Sequence, residues 1–151
     1  MHPFPGTYAL LFSASSDRLV QVGRCGRLSL KPGFYVYAGS AFGPGGLTAR
    51  IAHHRQNSHR PHWHIDYLTP FLCLRQLWYT CDPLQREHAW AEILLKNRRS
   101  SVPLEGFGSS DCRCRSHFFF FKALPSGRYF RRKIHSHLQD HGRIVIENVI
   151  H

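Results

Sequence analysis

Residues 34–38 read Phe-Tyr-Val-Tyr-Ala (FYVYA), and they predict the strand around which the rest of the chain is organised. Aromatic and β-branched residues favour extended backbone, and Lys31-Pro32-Gly33 just before them predicts a turn. The stretch 39–46 (GSAFGPGG) predicts a glycine-rich loop whose backbone amides could approach a phosphate, although the Lys-Ser/Thr ending of a P-loop is missing. A helix is predicted from 47 to about 56.

Further elements follow on both sides of this segment. A second helix is predicted over 82–96, with Asp82 as its N-cap and Pro83 in its first turn. Apolar or alternating stretches predict four more strands, at 6–12, 18–23, 72–79 and 117–121. This order predicts an α+β domain over 1–121. A basic C-terminal extension, 122–151, is expected to pack on this domain or trail from it.

The charge balance is strongly basic. Twenty Lys and Arg residues face nine Asp and Glu, which gives a formal net charge of +11 with His neutral. Such an excess favours a polyanionic partner, because each basic side chain that meets a phosphate releases a condensed counterion. Nucleic acid is therefore the expected partner, with a membrane surface or simple solubility as the alternatives.

Targeting signals and a cystine framework are not expected. No stretch approaches the roughly 20 apolar residues of a membrane span, and the first residues lack the pattern of an export signal, so the cytoplasm is the expected compartment. The five cysteines are an odd number. Cys112, Cys114 and His117 form a C-x-C-x-x-H pattern that could contribute to a zinc site. Its spacing departs from the usual C-x(2–4)-C, and buried cysteines acting as small apolar groups are the alternative.

Two groups of polar residues are candidates for chemistry. Arg50 and His54 lie four positions apart on the helix predicted at 47–56, so both project from one face. Arg50 could hold a phosphate and His54 could transfer a proton at neutral pH, whereas a solvated basic face is the alternative. The candidate substrate contacts are His62, His64, Asp66, Ser109, Ser110 and Asp111. The first three alternate along the chain and are expected to share a face of an extended segment. For His64 and Asp66 the alternative is a structural role, His64 in the core and Asp66 capping a turn.

Several motifs resemble a known superfamily. Gly6-Thr7-Tyr8 and Tyr37-Ala38-Gly39, followed by a helix that carries Arg50, resemble the GIY-YIG nuclease signature. Thr7 stands at the usual Ile position, and the gap between the two tyrosine motifs is longer than usual. FYVYAGSA, GLTARIAHH, HWHIDYL and GFGSSDCRC resemble more closely the DUF123 family, an uncharacterised bacterial and archaeal family placed in that superfamily. The resemblance covers about residues 6–121.

The resemblance implies a fold and a reaction. The fold is a GIY-YIG-like small antiparallel sheet flanked by helices, here with an extra strand, and the reaction is phosphodiester hydrolysis with one metal ion. The implied catalytic residues are Tyr8, Tyr37, Arg50, His54 and Glu87. The tyrosines would position the water, Arg50 and His54 would bind the phosphate and transfer a proton, and Glu87 would bind the metal ion. Glu87 would bind Mg²⁺ or Mn²⁺, and Gly39 and Ser40 would contact the substrate. The expected function is a DNA endonuclease. The alternatives are a non-catalytic nucleic-acid-binding module and a zinc-stabilised interaction domain.

Overall fold

The computed structural model describes residues 3–56, 60–109 and 112–150. Six strands form one antiparallel sheet in the order β6-β7-β4-β1-β5-β8, and β2 and β3 form a separate hairpin. The strands are β1 Gly6–Ala14, β2 Arg18–Val22, β3 Gly26–Leu30, β4 Gly33–Ala41, β5 Cys73–Thr80, β6 Ser100–Ser101, β7 Phe118–Phe121 and β8 Ile144–Asn148. The helices are α1 Gly46–His54, α2 Glu87–Lys96 and α3 Gly127–His137. The expected α+β class, a small antiparallel sheet flanked by helices, is confirmed.

The central strands β1 and β4 are buried on both faces. Successive residues of β1 alternate between two separate apolar clusters, Tyr8 and Leu10 in one and Ala9 and Leu11 in the other. A strand covered on both sides needs apolar residues at nearly every position, which explains why β1 reads as an almost continuous apolar run. The sheet is therefore the middle layer of three.

Different elements cover the two faces. The β2–β3 hairpin, α1 and a short 3₁₀ helix, His64–Tyr67, cover the first face with residues such as Leu28, Leu47 and Ile65. Helices α2 and α3 cover the second face, where the Trp90 ring lies 5.0 Å from the Phe130 ring. Helix α1 and helix α2 thus lie on opposite faces of the sheet, and this arrangement matters for the site.

The second helix begins later than the sequence pattern predicts. Asp82 does not act as its N-cap, because the Asp82 carboxylate is used by the preceding loop. It accepts hydrogen bonds from the backbone N–H of Leu84 at 2.9 Å and of Gly142 at 2.7 Å, and it pairs with Arg86 at 3.1 Å. The helix starts at Glu87, which places this carboxylate in its first turn.

Other boundaries also differ from the prediction. Strand β4 continues through Ala41, which pairs with Gly6, so the first part of the predicted glycine-rich loop is sheet. Strand β3 was not predicted, because the short stretch GRLSL carries little apolar signal. The segment from residue 122 forms α3 and β8, and β8 pairs with β5 at the edge of the sheet. Among the helices described, none has the length and apolar character to cross a bilayer.

Candidate active site

A phenol, an imidazole and a carboxylate form a buried line on the first face of the sheet. The Tyr8 hydroxyl is 2.7 Å from Nε2 of His54, and Nδ1 of His54 is 3.7 Å from Oδ1 of Asp66. Tyr8 is 1%, His54 3% and Asp66 4% exposed. In the tautomer with its proton on Nδ1, the imidazole accepts the phenolic O–H at Nε2 and directs its own N–H towards the carboxylate.

The surroundings decide which of these groups is charged. Burial lowers the pKa of His54 below its ordinary value, and the neighbouring Asp66 only partly opposes this. Burial raises the pKa of Asp66, but the nearby His54 imidazole and hydrogen bonds from the Trp63 amide, His53 and the His62 amide outweigh it and hold that pKa well below the ordinary range. Because both pKa values are lowered, His54 is neutral and Asp66 is ionised at neutral pH.

The second tyrosine lies beside this line. The ring of Tyr37 is 6.4 Å from that of Tyr8 and 5.9 Å from that of His54. Burial raises the pKa of both phenols. The Arg50 guanidinium partly offsets this rise for Tyr8, whereas the Glu87 carboxylate adds to it for both. Both phenols are therefore protonated at neutral pH, and each can donate one hydrogen bond and accept others.

Gly39 makes room for the first of these phenols. It pairs with Tyr8 across β1 and β4, and a Cβ built on Gly39 would lie 2.5 Å from the Tyr8 hydroxyl oxygen. The absence of a side chain at this position thus allows the Tyr8–His54 hydrogen bond to form.

We expect Gly39→Ala to lower the free energy of unfolding by about 1–3 kcal/mol, because the added methyl group must displace the buried Tyr8 ring. Urea denaturation measures this change. Gly43→Ala is the matched control, since a Cβ there would meet its nearest atom at 4.0 Å, and its effect should stay within about 0.5 kcal/mol. Equal stability of the two variants would contradict the proposed fit around Tyr8.

Arg50 contacts Tyr8, Ser40 and Trp63, and its guanidinium donates a hydrogen bond to the Tyr8 hydroxyl. Its Nη1 donates to the Ser40 carbonyl oxygen at 2.6 Å, and its Cζ lies 4.2 Å from the centre of the Trp63 ring. A guanidinium has five N–H donors in a rigid plane, so donors remain for an anion after these contacts. Trp63 was not identified from the sequence. The only signal was its place between two histidines, in HWHIDYL.

Glu87 reaches the same strand from the other face of the sheet. Its carboxylate contacts Nδ1 of His117 and accepts a hydrogen bond from the Ser40 side chain. Burial raises the pKa of Glu87, but these two hydrogen bonds outweigh it, so its pKa is lower than usual. β7 pairs with β4 only as far as Tyr37, and around Ser40 the edge of β4 is open to residues from both faces. Ser40 therefore links Arg50, through its carbonyl, to Glu87, through its hydroxyl.

The candidate residues of the HWHIDYL segment do not converge as expected. The segment forms a 3₁₀ helix instead of an extended strand, so the expectation that His62, His64 and Asp66 share a face is wrong. Asp66 points to α1 and accepts from His53 Nε2 at 3.0 Å. His64 instead accepts the backbone N–H of Gly108 at 2.7 Å.

The other candidate substrate contacts are His62 and residues 109–111. His62 is exposed, and its ring lies 4.3 Å from that of Trp63. Ser109 is buried, and its hydroxyl has no hydrogen-bond partner among the residues that the structure describes. Ser110 and Asp111 lie outside the described residues. His53 was not identified from the sequence, and it contributes to the site through its contact with Asp66.

A groove of about 610 Å³ lies elsewhere, between the end of α2 and α3. Its basic lining residues are Lys96, Arg98, Arg99, Lys133 and His137. None of its described lining residues is a carboxylate, so the groove suits an anion better than a metal ion. The chemistry therefore locates the candidate active site at the tyrosine pair and not in this groove.

The fold and the site define an α+β protein with a buried tyrosine–histidine–aspartate line on one face of the sheet, an arginine that contacts Ser40 and Trp63, and a partly exposed glutamate that approaches Ser40 from the other face. The family model described as "Domain of unknown function DUF123" matches residues 7–140, and the chain belongs to this family. Neither the curated proteins nor the solved structures contain a match to the chain.

Proposed function

We propose that this protein is a metal-dependent endonuclease of the GIY-YIG type that hydrolyses phosphodiester bonds in DNA. The observation that carries the proposal is the meeting of Tyr8, Tyr37, Arg50 and His54 on one side of β4, with Glu87 joined to them through Ser40. Phosphodiester hydrolysis requires an activated water, stabilisation of the phosphate charge and a metal ligand, and these residue types supply each of them.

Arg50 stabilises the phosphate in this mechanism. The Ser40 carbonyl and the Trp63 ring hold its guanidinium before the substrate arrives. A donor fixed in this way needs little reorganisation when negative charge develops on the phosphate oxygens, which is the condition for electrostatic catalysis. The net charge of +11 supports a polyanionic substrate.

Tyr8 and His54 accept the proton of the attacking water. The water donates a hydrogen bond to the Tyr8 oxygen, and as its oxygen bonds to phosphorus it releases a proton to Tyr8. The proton of Tyr8 moves at the same time to Nε2 of His54, over the 2.7 Å hydrogen bond. His54 can take it because burial keeps the ring neutral, and Asp66 stabilises the resulting imidazolium. The phosphorus–oxygen bond to the leaving sugar oxygen breaks, and that oxygen is protonated by solvent.

Glu87 fits the role of the metal ligand. His117 and Ser40 use two of the roughly four lone-pair positions of its carboxylate, and the side chain is 19% exposed. Mg²⁺ commonly takes one or two carboxylates and keeps several waters, so a single partly exposed glutamate suffices. When bound there, Mg²⁺ or Mn²⁺ would supply positive charge to a phosphate oxygen.

The test is cleavage of branched, nicked and damaged DNA over a titration of Mg²⁺. We expect Mg²⁺-dependent nicking by the wild-type protein and a fall in kcat of about 10²–10³-fold in Glu87→Gln. The amide keeps the shape of the carboxylate and an acceptor for His117, so the loss reports on charge. Glu92→Gln is the matched control, because Glu92 lies on the same helix but is exposed and pairs with Lys96. Unchanged cleavage by Glu87→Gln would overturn the proposal. So would the absence of cleavage of every substrate in the presence of Mg²⁺ or Mn²⁺.

A second candidate is a non-catalytic nucleic-acid-binding module with the same fold. Two observations favour it: Tyr8, Tyr37 and His54 are at most 5% exposed, and the basic groove between α2 and α3 offers a separate surface for phosphates. This candidate predicts DNA affinity that falls steeply with salt, does not require a divalent cation, and is not accompanied by cleavage.

A further inference from the structure

Two histidines and two cysteines meet beside the first turn of α2. One ligand atom from each of His88, Cys112, Cys114 and His117 can be chosen so that all four lie within 4.8 Å of one another. His88 is exposed, the cysteines are partly buried and His117 is buried. None of the four belongs to the tyrosine–histidine–aspartate line.

The spacing of these atoms is close to that of a tetrahedral zinc site. Zn–S bonds of about 2.3 Å and Zn–N bonds of about 2.0 Å put neighbouring ligand atoms roughly 3.3–3.8 Å apart. Cys112 Sγ and His117 Nε2 are already 3.5 Å apart. No pair exceeds 4.8 Å, so side-chain movements of about 1 Å would close the site.

The orientation of His117 provides a second, independent indication. Its Nδ1 contacts the Glu87 carboxylate, which leaves Nε2 directed towards Cys112. Histidines that bind zinc usually donate their other ring N–H to a carboxylate or carbonyl, and this fixes the tautomer. The backbone of His117 is also fixed, because its N–H donates a hydrogen bond to the Phe107 carbonyl oxygen at 2.8 Å.

We propose that His88, Cys112, Cys114 and His117 bind one structural Zn²⁺ in a closed Cys₂His₂ site. Thiolate and imidazole ligands select zinc over Mg²⁺, which prefers oxygen. Four protein ligands leave no open position for catalysis, so the ion is structural. It fastens the loop before β7 to helix α2 and holds His117 against Glu87. The sequence pattern included three of these ligands but missed His88, which comes from an earlier helix.

The first measurement is the zinc content of the full-length protein by elemental analysis. We expect one zinc per chain in the wild type and less than about a tenth of that in a Cys112→Ser/Cys114→Ser double variant. Cys81→Ser is the matched control, since Cys81 is exposed and outside the cluster, and it should keep full zinc. A wild-type protein that contains no zinc, and takes up none on dialysis against equimolar zinc, would overturn the proposal.

Three further measurements do not depend on whether the double variant folds. Cobalt-loaded wild-type protein should show thiolate-to-metal charge-transfer absorption, and its absence would contradict cysteine ligation. Chelation should lower the melting temperature of the wild type by on the order of 10 °C, and an unchanged melting temperature would contradict a structural role.

His88→Ala removes an exposed side chain and should weaken zinc binding at least about tenfold; unchanged affinity would remove His88 from the site. Zinc content is independent of DNA cleavage, so the two proposals fail separately.

Discussion

Arg50→Ala is expected to lower kcat/KM for DNA cleavage by about 10²–10³-fold, which is the usual effect of removing one preorganised donor to a developing charge. The loss should exceed what unfolding could cause. The variant removes the contact of Arg50 with Trp63, worth about 0.5–1 kcal/mol of stability at a partly exposed site, and its hydrogen bond to the Ser40 carbonyl, worth about 0.5–1.5 kcal/mol. Cleavage kinetics and urea denaturation on the same preparations separate the two effects.

Two variants sharpen this test. Arg55→Ala changes an exposed arginine just after α1, and it should leave cleavage within about threefold of the wild type. Arg50→Lys keeps the charge but loses the planar fork that both contacts the Ser40 carbonyl and stacks on Trp63, so it should recover only a small part of the lost activity. Cleavage by Arg50→Ala at the wild-type rate would remove Arg50 from the mechanism.

Asp66→Ala should have the largest effect on stability, a loss of about 3 kcal/mol in the free energy of unfolding. The Asp66 carboxylate accepts from the His62 amide at 2.8 Å, the Trp63 amide at 2.9 Å and His53 at 3.0 Å. Removal of a buried acceptor leaves these donors unsatisfied, and such losses are typically large. Asp17→Ala, an exposed aspartate, is the control and should stay within about 0.5 kcal/mol.

The lowered pKa values of Asp66 and His54 predict how the stability of the protein depends on pH. The pKa of folded Asp66 is lower than its ordinary 3.8, so its stabilisation is present above pH 3.8 and is lost as the pH falls further. The pKa of folded His54 is lower than its ordinary 6.5, so stability also decreases as the pH falls below 6.5. Urea midpoints between pH 7 and pH 3 should therefore decline, and Asp66→Asn should flatten the lowest part of this decline. A loss below about 1 kcal/mol in Asp66→Ala, or an identical pH profile in Asp66→Asn, would contradict this role of Asp66.

The local pattern was sufficient for the elements that depend on local preference. The apolar stretches at β1 and β4 and the amphipathic helix α1 were predicted near their observed bounds, because continuous apolar runs and helical spacing report burial directly. The start of α2 was predicted wrongly, since the Asp82 side chain bonds the distant Gly142 amide instead of the helix. The 3₁₀ helix at HWHIDYL was missed for a similar reason: an alternating polar pattern suggested a strand, while Asp66 accepts the His62 and Trp63 amides.

Part of the candidate site was predicted from residue spacing and the family motifs. Arg50 and His54 lie on the same helix, and the two tyrosines lie on adjacent paired strands, so both pairs follow from local structure. The contacts of His54 with Asp66, of Arg50 with Trp63 and of Glu87 with Ser40 join segments far apart in the chain. The first two arise when the HWHIDYL segment packs against α1 on one face of the sheet, and the third arises when α2 packs on the other face beside the β4 edge. No period or spacing in the chain encodes that packing, and so the folded protein alone brings these groups together.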